Sequence, residues 1–158
     1  MIKKKNIKLD IVNLLDEIQN GKYSNIQMNY YFSQNEYSKK EREFITNIIN
    51  VTLKNLIFVD YMLGQTVRNI QKRKIKQLLR ISVAQILFMD SDNAGVVYEA
   101  GEISKIINKH QTGFVNATLQ AIIKNKEEIM LGVYKKILSY VPKEKYLAYI
   151  GIILSMAS

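Results

Sequence analysis

The 158-residue chain is short of several residue types, and each shortage excludes a kind of chemistry. It has no cysteine, so neither a disulfide framework nor a catalytic thiolate is available. We interpret the single histidine, His110, as a solvated residue at a helix end and not as a base or metal ligand. The seven glycines are scattered and form no phosphate-binding loop. We therefore expect no catalytic residue, no metal and no cofactor in this chain.

Targeting signals and membrane spans are also missing from the sequence. The basic N-terminus has neither a long apolar core nor a small-residue cleavage site, so we predict no signal peptide. The longest uncharged apolar run, 146–158, is too short to span a bilayer as a helix. Together with the absence of cysteine, these features predict a cytoplasmic protein that does not enter a membrane.

Helical spacing of apolar residues runs through most of the chain. Pro142 is the only proline, hydrophobic residues make up 47%, and alternating strand patterns are hard to find. The sequence therefore predicts an all-α protein with about seven helices around one core. The third is expected to start at a capping box formed by Ser38 and Glu41. The predicted helices are 8–20, 24–33, 38–63, 72–89, 95–109, one through 112–122, and 127–139.

Positive charge is the strongest functional signal, because 23 Lys and Arg outweigh 14 Asp and Glu. A net charge of +9 favours a polyanionic partner such as RNA. Two clusters are the candidate RNA-binding residues: an N-terminal arm of Lys3, Lys4, Lys5 and Lys8, and a second group of Lys72, Arg73, Lys74, Lys76 and Arg80.

Helical spacing suggests how part of the second cluster is presented. Arg73, Lys76 and Arg80 should share an exposed face of the fourth helix. The opposite, buried face is predicted to consist of Ile75, Leu78, Leu79, Ser82, Val83 and Ile86. The alternatives are that these charges serve solubility, and that Arg80 pairs with an acid such as Glu99 and serves stability.

Four segments stand in a characteristic order and spacing: SKKEREFITNIINVTLKN (38–55), KIKQLLRISVAQILFMD (74–90), VVYEAGEISKII (96–107) and GFVNATLQAII (113–123). They resemble the NusB-like family, which includes antitermination factors and the N-terminal domain of the Sun/Fmu/RsmB type of 16S rRNA cytosine-5 methyltransferase. The second and fourth segments look closer to the methyltransferase version. The resemblance covers residues 8–125, and it departs at Asn50 and Val51, where the family usually has glycine.

The resemblance also suggests roles for two residues of the fourth segment. Members of the family begin their last core helix with a Phe-Val-Asn run, so Phe114 is expected to anchor that helix in the core. Truncating such an anchor to alanine should cost about 3–5 kcal/mol. Asparagine is a poor residue for a helix interior, so Asn116 is expected to be a structural pin that bonds a free backbone group.

By resemblance, the chain is an RNA-binding accessory domain that positions rRNA for a methyltransferase and does no chemistry itself. The alternatives are an antitermination factor that binds RNA with a ribosomal protein, and a helical protein-interaction module. The domain is expected to cover 1–140, and 141–158 to be an apolar tail, read as a truncated linker to a missing methyltransferase domain.

Overall fold

The computed structural model describes residues 5–70 and 72–145, together with 151 and 155. Over 5–70 and 72–145 the chain forms seven α-helices and two short 3-10 turns, which confirms the all-α prediction. The helices are α1 (Ile7–Gln19), α2 (Ser24–Gln34), α3 (Lys39–Lys54), α4 (Leu56–Thr66), α5 (Arg73–Phe88), α6 (Asn93–Asn108) and α7 (Thr112–Ser139). The turns are Lys109–Gln111 and Lys143–Lys145.

Short polar side chains begin three of the helices. Asn6 accepts a hydrogen bond from the backbone N–H of Leu9 at the start of α1, and Asp92 caps α6 in the same way. The predicted capping box of α3 is confirmed. Ser38 Oγ accepts from the Glu41 N–H, while the Glu41 carboxylate accepts from the Ser38 N–H at 2.8 Å. These contacts pair backbone donors that a helix start otherwise leaves free.

The central helix of the bundle is α5, which packs against α1, α3, α4 and α6. From Ile75 onward it is buried on nearly every side as far as Ile86, apart from the half-buried Lys76. The predicted apolar face of this helix is confirmed: Ile75, Leu78, Leu79, Ser82, Val83 and Ile86 are all buried.

Two helix boundaries differ from the prediction. The single helix expected over 38–63 breaks at Asn55, whose side-chain amide donates a 2.9 Å hydrogen bond to the carbonyl of Val51. That bond lets the side chain compete with the helical backbone pattern, so α3 ends and α4 begins there. Conversely, the helices expected through 112–122 and over 127–139 form one helix, α7. The polar residues between them include neither glycine nor proline to stop it.

Helical spacing favours an inward face of Ile26, Tyr30 and Tyr31 for α2, and this expectation is wrong for two of the three. Ile26 and Tyr30 are 62% and 56% exposed, and only Tyr31 is half-buried. Gln27 and Met28 are buried instead, and the Gln27 amide donates to the Glu17 carboxylate of α1.

Two compact units divide the chain, Met1–Ile123 and Lys124–Ser158. The first contains α1 to α6 and the beginning of α7, and it holds the buried core residues from Ile11 to Ile122. The second contains the remainder of α7. The boundary predicted at residue 140 stays a prediction, and most of the predicted tail lies outside the described residues.

Candidate nucleic-acid interface

The start of α5 carries the second predicted basic cluster. Lys72 is the N-cap residue, and its ammonium, which has no acceptor atom, makes no capping hydrogen bond. Lys72, Arg73 and Lys74 are exposed, whereas Ile75 is fully buried. These three residues therefore lie at the exposed start of a helix whose next turns are buried, which fixes their position relative to the core.

Arg73 is exposed but already has a partner. Its Nε lies 2.8 Å from Oδ1 of Asp16, and its Nη2 donates to Oδ2 at 2.9 Å. Nη1 reaches Asn20 Oδ1 at 3.5 Å. The Asp16 side chain is 5% exposed, whereas that of Arg73 is 65% exposed. Arg73 thus neutralises a buried carboxylate of α1 and ties α5 to α1.

Three of the other four members, Lys72, Lys74 and Lys76, have no partner in the part of the chain that the structure describes. Lys72 and Lys74 are exposed, and Lys76 is half-buried. Within the described residues, none of these three ammonium groups has an ion-pair or hydrogen-bond partner. Unpaired lysines at one helix end can meet phosphate oxygens without first breaking a protein contact.

The expectation that Arg80 lies on an exposed face was wrong. Its side chain is 9% exposed and holds the Asp60 carboxylate of α4, with Nε to Oδ1 at 2.8 Å and Nη2 to Oδ2 at 2.7 Å. Nη1 donates to Gln77 Oε1 at 3.1 Å. The alternative role in stability fits this geometry, although the partner acid is Asp60 and not Glu99. Arg80 is therefore closed to phosphates.

The N-terminal arm is only partly described, because Lys3 and Lys4 lie outside the described residues. Lys5 donates to the Glu36 carbonyl and to Glu41 Oε1 at 2.9 Å, and its ammonium sits 4.4 Å from the Tyr37 ring centre. The Ser38 backbone N–H and the Lys5 ammonium together lower the pKa of Glu41. The Lys5 ammonium is thus already engaged in contacts with the segment between α2 and α3 and with the start of α3.

Lys8 is not at the surface at all. Its side chain is 2% exposed, its Nζ donates to Gln85 Oε1 at 2.7 Å, and Glu99 lies 3.9 Å away. Burial lowers the pKa of Lys8 to about 8, and the Glu99 carboxylate opposes that shift. The arm expected to be a solvated basic segment therefore contributes one core residue, because Lys8 lies within α1.

The two residues singled out at the start of α7 have weaker roles than expected. Phe114 is half-buried, while its neighbour Val115 is fully buried and fills the core position. Asn116 is exposed, and no hydrogen bond of its side chain is found within the described residues. The local side-chain bonds come instead from Ser104 to Thr112 at 3.0 Å and from Thr118 to the Phe114 carbonyl at 2.7 Å.

Sequence reasoning missed a pocket beside Lys76. It is formed by the second half of α4, the segment after it and the first turn of α5, and it is lined by Asp60, Leu63, Gly64, Val67, Arg68, Asn69, Ile70 and Lys76. The sequence offers only a weak signal for this pocket, namely Arg68 and the short polar segment between α4 and α5. No group of histidine, aspartate and glutamate suited to a metal ion occurs in the described part of the chain. Nor is any described helix long and apolar enough to cross a bilayer.

The fold and the sequence together define the class of protein. Residues 5–124 match the profile of the NusB family, so the chain belongs to that family. Its particular relatives carry two different descriptions. One, "Probable ribosomal RNA small subunit methyltransferase B" of Bacillus subtilis (strain 168), is 36% identical over 108 residues. That match covers 66% of this chain but only 24% of the methyltransferase.

The other description is "Transcription antitermination protein NusB". The protein of Campylobacter jejuni (strain RM1221) is 25% identical over 126 residues, which cover 77% of this chain and 96% of that relative. The protein of a Nitratiruptor species is 29% identical over 90 residues, 54% of this chain and 65% of the relative.

Proposed function

We propose that this chain binds RNA through the unpaired cations at the start of α5. The observation that carries the proposal is the exposure of Lys72 and Lys74, with Lys76 beside them, and the absence of a described partner for any of the three ammonium groups. The net charge of +9 supplies a long-range attraction for a polyanion. Arg73 assists by holding α5 against α1, and Arg80 by holding α5 against α4.

The finer proposal is that the RNA is ribosomal and that the chain acts as the accessory domain of a methyltransferase. The support is the 36% identity to the Bacillus subtilis methyltransferase. Because the chain spans about a quarter of that relative's length, the reaction itself would belong to the rest of such a protein. The chain would position rRNA in the cytoplasm without doing chemistry, since it has no cysteine and no glycine-rich cofactor loop.

Transcription antitermination is the second candidate, and a specific observation favours it. The alignment with the Campylobacter jejuni relative covers 96% of that protein, so this chain accounts for nearly all of a protein with that description. A ribosomal protein would then be a further partner. The exposed residues of α2, Ile26 and Tyr30, would suit such a contact.

Ultraviolet crosslinking of the full chain to total cellular RNA, followed by sequencing, separates these candidates. We expect enrichment of 16S rRNA over messenger leaders if the chain serves a methyltransferase, and the opposite for an antitermination factor. Filter binding of an enriched fragment across a salt series tests the coarser proposal. No measurable affinity would rule out RNA binding, and an affinity that does not fall with salt would rule out phosphate contacts by these lysines.

A further inference from the structure

The pocket beside Lys76 has a volume of about 180 Å³ and opens to the solvent. Typical sites for drug-sized ligands run to roughly 300–1,000 Å³, so this pocket suits a smaller group. It adjoins the proposed RNA-binding surface, because Lys76 belongs to both. An occupant could therefore be part of the same RNA chain that meets Lys72 and Lys74.

The pocket combines three kinds of surface. Leu63, Val67 and Ile70 provide an apolar wall. Arg68 and Lys76 provide two cations, and neither side chain has an ion-pair partner within the described residues. An apolar wall beside two cations suits a nucleotide, whose base is a flat apolar surface and whose phosphate is an anion.

Asp60 adds a hydrogen-bond acceptor in a fixed position. Both of its oxygens are held by Arg80, at 2.8 Å and 2.7 Å, which orients the carboxylate. Each carboxylate oxygen can accept a second hydrogen bond, and the side chain is 37% exposed. An incoming N–H donor can therefore reach Asp60 without displacing Arg80.

We propose that this pocket receives one unpaired nucleotide of the bound RNA, with a base that carries an exocyclic amino group. The base lies against the apolar wall and its amino group donates to the Asp60 carboxylate. The phosphate meets Arg68 and Lys76. This inference rests on the proposed RNA binding and adds a preference among bases, which phosphate contacts alone do not provide.

Two unpaired oligonucleotides, oligo-C and oligo-U, give a matched test in the full chain. Their bases are similar in size, but cytosine has an amino group at the position where uracil has a carbonyl. We expect oligo-C to bind about tenfold more tightly, because the cytosine amino group donates to the carboxylate, whereas the uracil carbonyl oxygen in the same position is an acceptor that the carboxylate repels. Equal affinities would overturn the pocket and leave RNA binding standing. Failure of both oligonucleotides to bind would overturn the proposed function as well.

Gly64 offers a way to fill the pocket without disturbing the core. It lines the pocket within α4, and a Cβ added there would meet no heavy atom within 4 Å. Gly64→Leu should reduce oligo-C affinity about tenfold, to the level of oligo-U, since that interaction is lost. The helix should be no less stable, because glycine is a poor helix former.

Gly132→Leu is the matched control. Gly132 lies in α7, and its added Cβ also meets no atom within 4 Å. This variant should keep the tenfold preference for oligo-C. Gly64→Met provides a second variant of similar reach if leucine impairs folding, and circular dichroism monitors both. A folded Gly64 variant that retains the full preference would show that the base does not enter this pocket.

Discussion

Arg73 and Arg80 lie two turns apart on α5, and each guanidinium makes two close contacts with one aspartate of a neighbouring helix. In the first pair the arginine is 65% exposed and Asp16 is 5% exposed. In the second pair the arginine is 9% exposed and Asp60 is 37% exposed. The buried charge is therefore the Asp16 carboxylate in the first pair and the Arg80 guanidinium in the second.

This difference shows which partner is costly to remove. Deleting the exposed member leaves a buried charge without compensation, whereas deleting the buried member leaves a charge that water can reach. The two pairs along α5 should consequently respond to opposite mutations. Four experiments test the comparison.

The largest effect is expected from Asp60→Ala. It leaves the buried Arg80 guanidinium with only Gln77 as a partner, so we expect a loss of about 3–5 kcal/mol in the free energy of unfolding. Arg80→Met should cost less, because Asp60 is accessible to water. Urea unfolding of both single variants and the double variant measures this. If the two single variants lose the same free energy of unfolding, and if their effects add in the double variant, the proposed asymmetry is wrong.

Lys8 extends the comparison to a buried cation that lacks a bidentate carboxylate partner among the described residues. Its ammonium lies near the second half of α5, where it donates to Gln85. Its pKa is about 8 in the folded protein against 10.5 normally, so between these values the unfolded chain binds more protons and stability rises with pH. We expect a gain of about 2 kcal/mol between roughly pH 7.5 and 9.5.

Lys8→Met is the control for that pH profile, because it keeps an apolar chain of similar length and removes the titrating group. Burial and the Glu17 carboxylate raise the pKa of Tyr31 to about 12, and burial and Asp10 raise that of Tyr37. These tyrosines oppose the trend only above about pH 10. A wild-type profile that matches the Lys8→Met profile would mean that Lys8 does not titrate in this range.

Arg73→Ala should cost about 1–3 kcal/mol, since it leaves the buried Asp16 carboxylate without its charged partner. Lys74→Ala, one residue along the helix, removes the same charge from an exposed side chain and should stay within about 0.5 kcal/mol. Thermal unfolding of the two variants, followed by circular dichroism, compares them directly. Equal melting temperatures would show that Arg73 is an ordinary surface residue.

The periodicity of apolar residues was enough to predict the core side of α5, because burial of a helix face depends on local spacing. The same spacing could not show that Arg80 meets Asp60, which is 20 residues away in sequence. Within the described part of the chain, the backbone hydrogen bond expected of an asparagine side chain is made by Asn55 and not by Asn116. Asn116 is exposed in a continuous helix, while Asn55 bonds a backbone carbonyl and ends α3. Which asparagine competes with the backbone depends on its surroundings, which local pattern does not contain.

The smallest effect on stability, and the clearest on binding, is expected from changing Lys72, Lys74 and Lys76 together to glutamine. None has a described ion-pair partner, so the free energy of unfolding should change by less than about 0.5 kcal/mol. If all three meet phosphates of single-stranded RNA, each contributes roughly 0.7 to the slope of log affinity against log salt, and the slope should flatten by about 2.

The matched control changes Lys39, Lys40 and Lys54 of α3 to glutamine, which removes the same charge from other exposed positions. General attraction by net charge predicts equal losses in the two triple variants, because both lower the charge from +9 by three. Direct phosphate contact predicts a flattened slope in the α5 variant alone. Filter binding of one rRNA fragment across a salt series distinguishes them. If the α3 variant flattens the slope as much, the phosphates do not dock at the start of α5, and charge alone attracts the RNA.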